Sequence, residues 1–267
     1  LQNGTLVNAG TAVWSGTGDW DFRATSSGQS AVFQNLAGAV FEVQNDERLF
    51  TSFGTGPRTF TNAGTFRKVT ATGTTTISDA VFDNTGTIDV QSGTVVLSGG
   101  GTHTGSVQTA LGATLEFGGG TADWNAGLSI SGSGTVRVSG GTVNVNVPLA
   151  VPNLRLSGGT LNEVASLTVG GTMTWSDGTL SGAAPTVVSS GATLAMQGGR
   201  LTAGAHTIQG LGTVTWTSGS LTGGPLTVNV PSFQLSGGDT KTLQNGTLVN
   251  AGTAVWSGTG DWDFRAT

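Results

Sequence analysis

Residues 1–25, LQNGTLVNAGTAVWSGTGDWDFRAT, return without one substitution as residues 243–267. Ordinary internal repeats drift apart, so identity on this scale asks for a special cause: a window on a tandem array, or a segment copied by design. Between the copies a shorter pattern recurs. LVNAGTAVW (6–14) has relatives in FTNAGTFRK (60–68), FDNTGTIDV (82–90), SGSGTVRV (131–138), TVGGTMTW (168–175) and QGLGTVTW (209–216). VPNLRLSGG (151–159) and VPSFQLSGG (230–238) put proline where the others have glycine. The anchors are Gly10, Gly38, Gly64, Gly86, Gly112, Gly134, Pro152, Gly171, Gly191, Gly212, Pro231 and Gly252. Their eleven steps of 18–28 residues fill the 242-residue offset between the copies, with a mean of 22.

After each anchor the sequence alternates apolar and polar, the mark of a half-buried strand. Ala12 and Trp14, Ile88 and Val90, Met173 and Trp175, and Val214 and Trp216 fall on one side. Lys68 breaks the rule beside Phe66, and a bulge or an early corner is expected there. A unit of about 22 residues cannot bury its own apolar face, but stacked copies can. The pattern therefore predicts an all-β, parallel β-solenoid of about eleven rungs per 242-residue unit. Its hand is expected to be right, as for parallel crossovers generally. At the ordinary strand spacing of ~4.8 Å the rungs would extend roughly 53 Å.

Composition agrees. Glycine supplies 46 residues and charged residues only 9%, against about 25% in an average domain. The Gly-X-Y period of collagen is missing, as is any apolar run of membrane-spanning length. The net charge of −5 comes without a basic cluster, which argues against a nucleic-acid partner. With no cysteine, disulfides and thiolate metal sites are excluded.

The domain reading follows. Residues 1–242 form one unit and 243–267 the first rung of the next. Within the unit, 1–131 holds the longer, loop-bearing rungs and 15 charged residues; 132–242 is compact and holds 7. Both end rungs carry core residues, so each copy is expected to be capped by its neighbour, in a covalent tandem or by head-to-tail stacking.

Candidate positions follow from stacking. Asn8, Asn35, Asn62, Asn84 and Asn250 precede their anchors and read as a corner ladder, since asparagine tolerates left-handed backbone and its amide can bond the next rung. Trp14, Trp175, Trp216 and Trp256 share the inward slot and read as a core stack. Outward slots run Glu42, Arg67, Asp89, Glu116, Arg137, which predicts cross-rung ion pairs. Asp46, Glu47 and Arg48 lie in the longest inter-anchor segment, where 44–58 is a candidate lateral contact loop, with 97–108 a second.

For catalysis the best candidate is GTGDWDF, where Asp19 and Asp21 flank Trp20; carboxylates on one side beside an aromatic could bind Ca²⁺, or bind or cleave a polysaccharide. The simpler reading puts Trp20 and Phe22 inside and leaves the aspartates solvated. His103 and His206 have no ligand partners at metal spacing and read as surface residues. No nucleophile, metal site or cofactor cradle is apparent, and the residues favour a non-catalytic chain.

The stretches FDNTGTIDVQSGTVVLSGGGTHTG (82–105) and FTNAGTFRK (60–68) also resemble the repeat regions of large bacterial surface proteins: adhesin-like, filamentous-haemagglutinin-like or autotransporter-like β-solenoids. That resemblance implies a secreted or cell-surface fibre or stalk, built for adhesion or attachment.

Overall fold

A computed structural model describes residues 1–265; the last two residues of the second copy, Ala266 and Thr267, lie outside the described residues. Among those described there is no helix. The strands stack in parallel as a β-solenoid of about eleven turns. The chain forms two compact units, Leu1–Val136 and Arg137–Thr267.

In the first unit each turn contributes three short strands, one to each of three faces. Val81–Asn84, Thr87–Val90 and Thr94–Leu97 make one turn, and Gly101–His103 opens the next. Their tetrapeptides, such as TIDV and TVVL, point two apolar side chains inward and leave a polar or β-branched residue outside. Stacking in register then builds the core. Phe33, Phe60 and Phe82 lie one above another with ring centroids 4.6 and 4.9 Å apart. Phe41 and Phe66 continue the packing on the adjacent face, 5.8 Å apart. Each such side chain contributes roughly 1.5–3 kcal/mol by burial.

The corner between the first two faces shows why glycine follows asparagine. A Cβ on Gly86 would meet the Gly64 carbonyl oxygen of the turn before at 2.0 Å. Only a residue without a side chain lets the two backbones stack there.

The stacking register corrects the anchor series. Thr87–Val90 pairs with Ser106–Thr109, so the corner above Gly86 is Gly105 and not Gly112. Thr114–Phe117, which follows Gly112, instead pairs with Thr94–Leu97 on the neighbouring face. The Gly-Thr-apolar-polar-apolar motif marks a strand, not a turn, and it occurs on more than one face.

The second unit uses the same logic with longer strands that bend around corners. Leu149–Glu163 pairs with Leu167–Ser181 through register shifts between Val151 and Asn153 and again around Ser157. Pro152 sits at the first shift, where its missing N–H costs no ladder bond. Inside, Trp175, Met196, Trp216 and Leu235 form one column, with Leu156 before them. Both tryptophans are fully buried.

Lys68 overturns the expected bulge. Thr65–Lys68 pairs regularly with strands on both sides, and Lys68 is completely buried between Val43 and Val90. Its Nζ donates to Asn45 O (2.7 Å), Asp46 Oδ1 (2.8 Å) and Thr75 Oγ1 (2.7 Å). Three donors meet three acceptors, so the ammonium is accommodated without disturbing the strand.

Candidate functional site

The duplicated segment is one complete turn in both places. In the first copy Gln2 lies opposite Arg23; in the second Gln244 lies opposite Arg265 and Leu243 opposite Phe264. Asn3 and Asn245 both adopt left-handed backbone at φ 48°. Trp14 and Trp20 stand 5.4 Å apart, and their equivalents Trp256 and Trp262 5.5 Å. Arg23 pairs with Asp21, and Arg265 with Asp263.

The copies differ in what they touch. Thr5–Asn8, Thr11–Trp14 and Trp20–Asp21 are paired with the turn that comes after, through Ala31–Asn35, Val40–Val43 and Arg48–Phe50. The second copy is paired with the turn that precedes it, through Gly219–Asn229 and Ser232–Leu235. Exposure tracks this difference. Trp14 is 4% exposed and Trp256 55%; Phe22 is 1% exposed and Phe264 67%. On its other side the first copy leaves a hollow of about 340 Å³ lined by Leu1, Leu6 and Trp20. Leu6 is 46% exposed there, whereas its equivalent Leu248 is half-buried against Leu226.

Asp19 and Asp21 hold the next turn. Asp19 accepts from Arg48 N (3.0 Å) and Arg48 Nε (2.8 Å). Asp21 accepts from Ser52 N (3.1 Å) and Ser52 Oγ (2.7 Å), and from the Arg23 guanidinium. The hydrogen bond from Arg23 is the main cause that lowers Asp21 to about 2, and Arg48 likewise lowers Asp19. Carboxylates held ionised in this way suit clamping; a glycosidic general acid needs the opposite shift. Trp20 packs against Trp14, Phe33 and Phe41, with centroids 5.4, 5.6 and 5.4 Å away.

The asparagine ladder runs through four turns. Asn8 donates to Asn35 Oδ1 (2.8 Å), Asn35 to Asn62 Oδ1 (2.8 Å), and Asn62 to Asn84 Oδ1 (2.7 Å). The second proton of each of these three amides goes to a backbone carbonyl of the next turn, Val40, Thr65 and Thr87. Asn250 is not on such a ladder: it lies opposite Val228, and its amide donates to Gly252 O.

The remaining expected positions divide. Glu42 and Arg67 form an ion pair at 3.1 Å. Asp89 lies opposite Arg67, but its carboxylate accepts instead from Gln91 Nε2 at 2.7 Å. Glu116 lies opposite Val96 in the first unit; Arg137 belongs to the second, where its Nε donates to Ser157 Oγ at 2.8 Å. Trp14 packs beside Val43 in the first unit, and Trp256 is exposed, so the four tryptophans are not one buried stack.

The two expected loops are largely folded. Asp46 binds Lys68 and the Gly73 N–H, Glu47 O accepts from Thr76 N, and Arg48 begins a strand. Residues 97–108 contain Gly101–His103 and most of Ser106–Thr109. Beyond Phe50 the chain leaves the strand but stays against the turn before it, where Gly56 N donates to Ala24 O at 3.0 Å and Arg23 lies 4.9 Å over the exposed Phe53 ring.

Both histidines are buried, against expectation. His103 packs edge-on to Phe117, and desolvation lowers its pKa to about 4. His206 Nε2 lies 2.9 Å from Thr186 Oγ1, which donates to Glu163 Oε1 at 2.7 Å. Burial raises Glu163 to about 8 and lowers His206. Lys68 and Glu163 take slots that pair in register with the apolar Val43 and Val145, and only that interruption of the alternation could have flagged them.

Among the described residues no group of three or more His, Asp or Glu is gathered as a metal site would require, and no helix is long and apolar enough to cross a membrane. No family model, curated protein or solved structure matches the chain.

Proposed function

We propose that this chain is a non-catalytic building block of a long extracellular fibre or surface stalk, in which identical right-handed β-solenoid units succeed one another head to tail and serve adhesion or matrix attachment. One observation carries the reading: the same sequence makes the same turn twice, covered on one side in the first copy and on the opposite side in the second. Merging the two copies gives a turn paired on both sides, which extends the solenoid without a break in register. A contact of this head-to-tail kind does not close on itself and therefore propagates. The likeness to bacterial surface repeats supports a place outside the cell.

Electron microscopy of chains carrying one, two and three copies of the 242-residue unit tests this. Rods should lengthen by a constant increment per copy, at constant width. Beads joined by flexible links would overturn the proposal.

A further inference from the structure

We infer that Asp261 and Asp263 are joint residues that clamp the segment after the duplicated turn in the next copy, by the contacts that Asp19 and Asp21 make here. The inference rests on the reading of the chain as a tandem solenoid and names the partner at the joint. Asp19 takes both the backbone N–H and the Nε of Arg48, and Asp21 takes the backbone N–H and hydroxyl of Ser52. Asp261 and Asp263 occupy the same positions in a turn of identical sequence, in which Asn245 keeps the φ of 48° that Asn3 has, and Asp263 already carries its Arg265 as Asp21 carries Arg23. Asp261 is exposed, as are Trp256 and Phe264 beside it. In the first copy the equivalent aromatics are closed over by the turn that contains Phe41 and Leu49.

The chemistry selects the occupant. If another duplicated turn stacked directly on this one, Asp19 would face Asp261 and Asp21 would face Asp263, and like charges directly opposite across parallel strands repel. A copy of residues 26–52 brings Arg48 and Ser52 instead, with Phe41 and Leu49 to cover the aromatics. The joint therefore recognises the turn built from residues 26–52 and not a second duplicated turn, and Asn250 gains the next copy's Asn35 as its ladder partner.

Hydrogen exchange on a two-copy chain, in which a further copy of residues 26–267 is joined after residue 267, tests the clamp. Asp261→Ala should speed amide exchange in the next copy's Arg48–Ser52 segment about tenfold, the scale of a lost charge-assisted hydrogen bond. The same substitution in the single-copy chain should leave exchange at Arg48–Ser52 unchanged, whereas Asp19→Ala there should speed it. Protection at the second Arg48–Ser52 that is identical with and without Asp261, while Asp19→Ala still exposes the first, would overturn the clamp. A two-copy chain whose Trp256 stays as accessible to acrylamide as in one copy would instead overturn the tandem solenoid itself.

Discussion

The Nζ of Lys68 has replaced its water shell with three protein oxygens, two of them on the corner Asn45–Asp46 and one on Thr75. This is a polar cross-brace inside an apolar column. Lys68→Met keeps the stem and removes the donor, which leaves the Asn45 carbonyl and Asp46 with one partner fewer. Urea denaturation at neutral pH should show a loss of about 1–3 kcal/mol, the cost of buried groups deprived of a hydrogen bond. Glu163 has a different consequence, because burial raises its pKa from 4.5 to about 8. Between those values the native chain retains a proton that the unfolded chain has released. Stability therefore falls as pH rises through that window, by up to about 1.4 kcal/mol per pH unit. His103 works in the other direction: its pKa is lowered from 6.5 to about 4, so stability is lost as pH falls through that interval. Denaturation midpoints between pH 6.5 and about 8 should decline in the wild type and stay nearly flat in Glu163→Gln.

At the level of strands and corners, alternation made the elements legible. The TIDV, TVRV and TVTW strands, and the asparagine run Asn8 to Asn84, all came from period-two patterning and a repeated corner. Face assignment was not legible, because the corners of the faces share one chemistry. Gly86 and Gly112 look equivalent in sequence, yet they open strands on different faces, and the spacing test that linked them could not tell a turn from a turn plus one strand. The polar interior was hidden for a related reason. His103 sits against Phe117 and pairs in register with Trp124, a neighbourhood set by residues some twenty positions away. The ladder offers a graded test of stacking. Asn62 is buried with an amide partner on each side, whereas Asn8 is half-exposed and has an amide partner on one side only. Asn62→Ala should cost about 1–3 kcal/mol in chemical denaturation, and Asn8→Ala less. Equal effects would mean that the amides do not act as a connected row.

For the whole molecule, two tryptophans of identical local sequence provide an internal comparison. Trp14 and Trp256 have the same neighbours along the chain and the same aromatic partner in their own turn, and they differ in the side that is covered: Trp14 lies opposite Val43 of the turn after it, Trp256 opposite Leu235 of the turn before it. In the single-copy chain, Trp14→Ala removes a buried indole and should cost about 3–5 kcal/mol. Trp256→Ala removes one that is 55% exposed and should cost a fraction of that. Once a further copy is added, position 256 gains the cover that position 14 already has while keeping Leu235 on its other side, and its substitution should become at least as costly as Trp14→Ala. Chemical denaturation of the two variants in one-copy and two-copy chains measures the change directly. Because sequence is held constant, any increase at position 256 reports only the turn added above it. A cost that stayed small in the two-copy chain would show that successive units do not share a core.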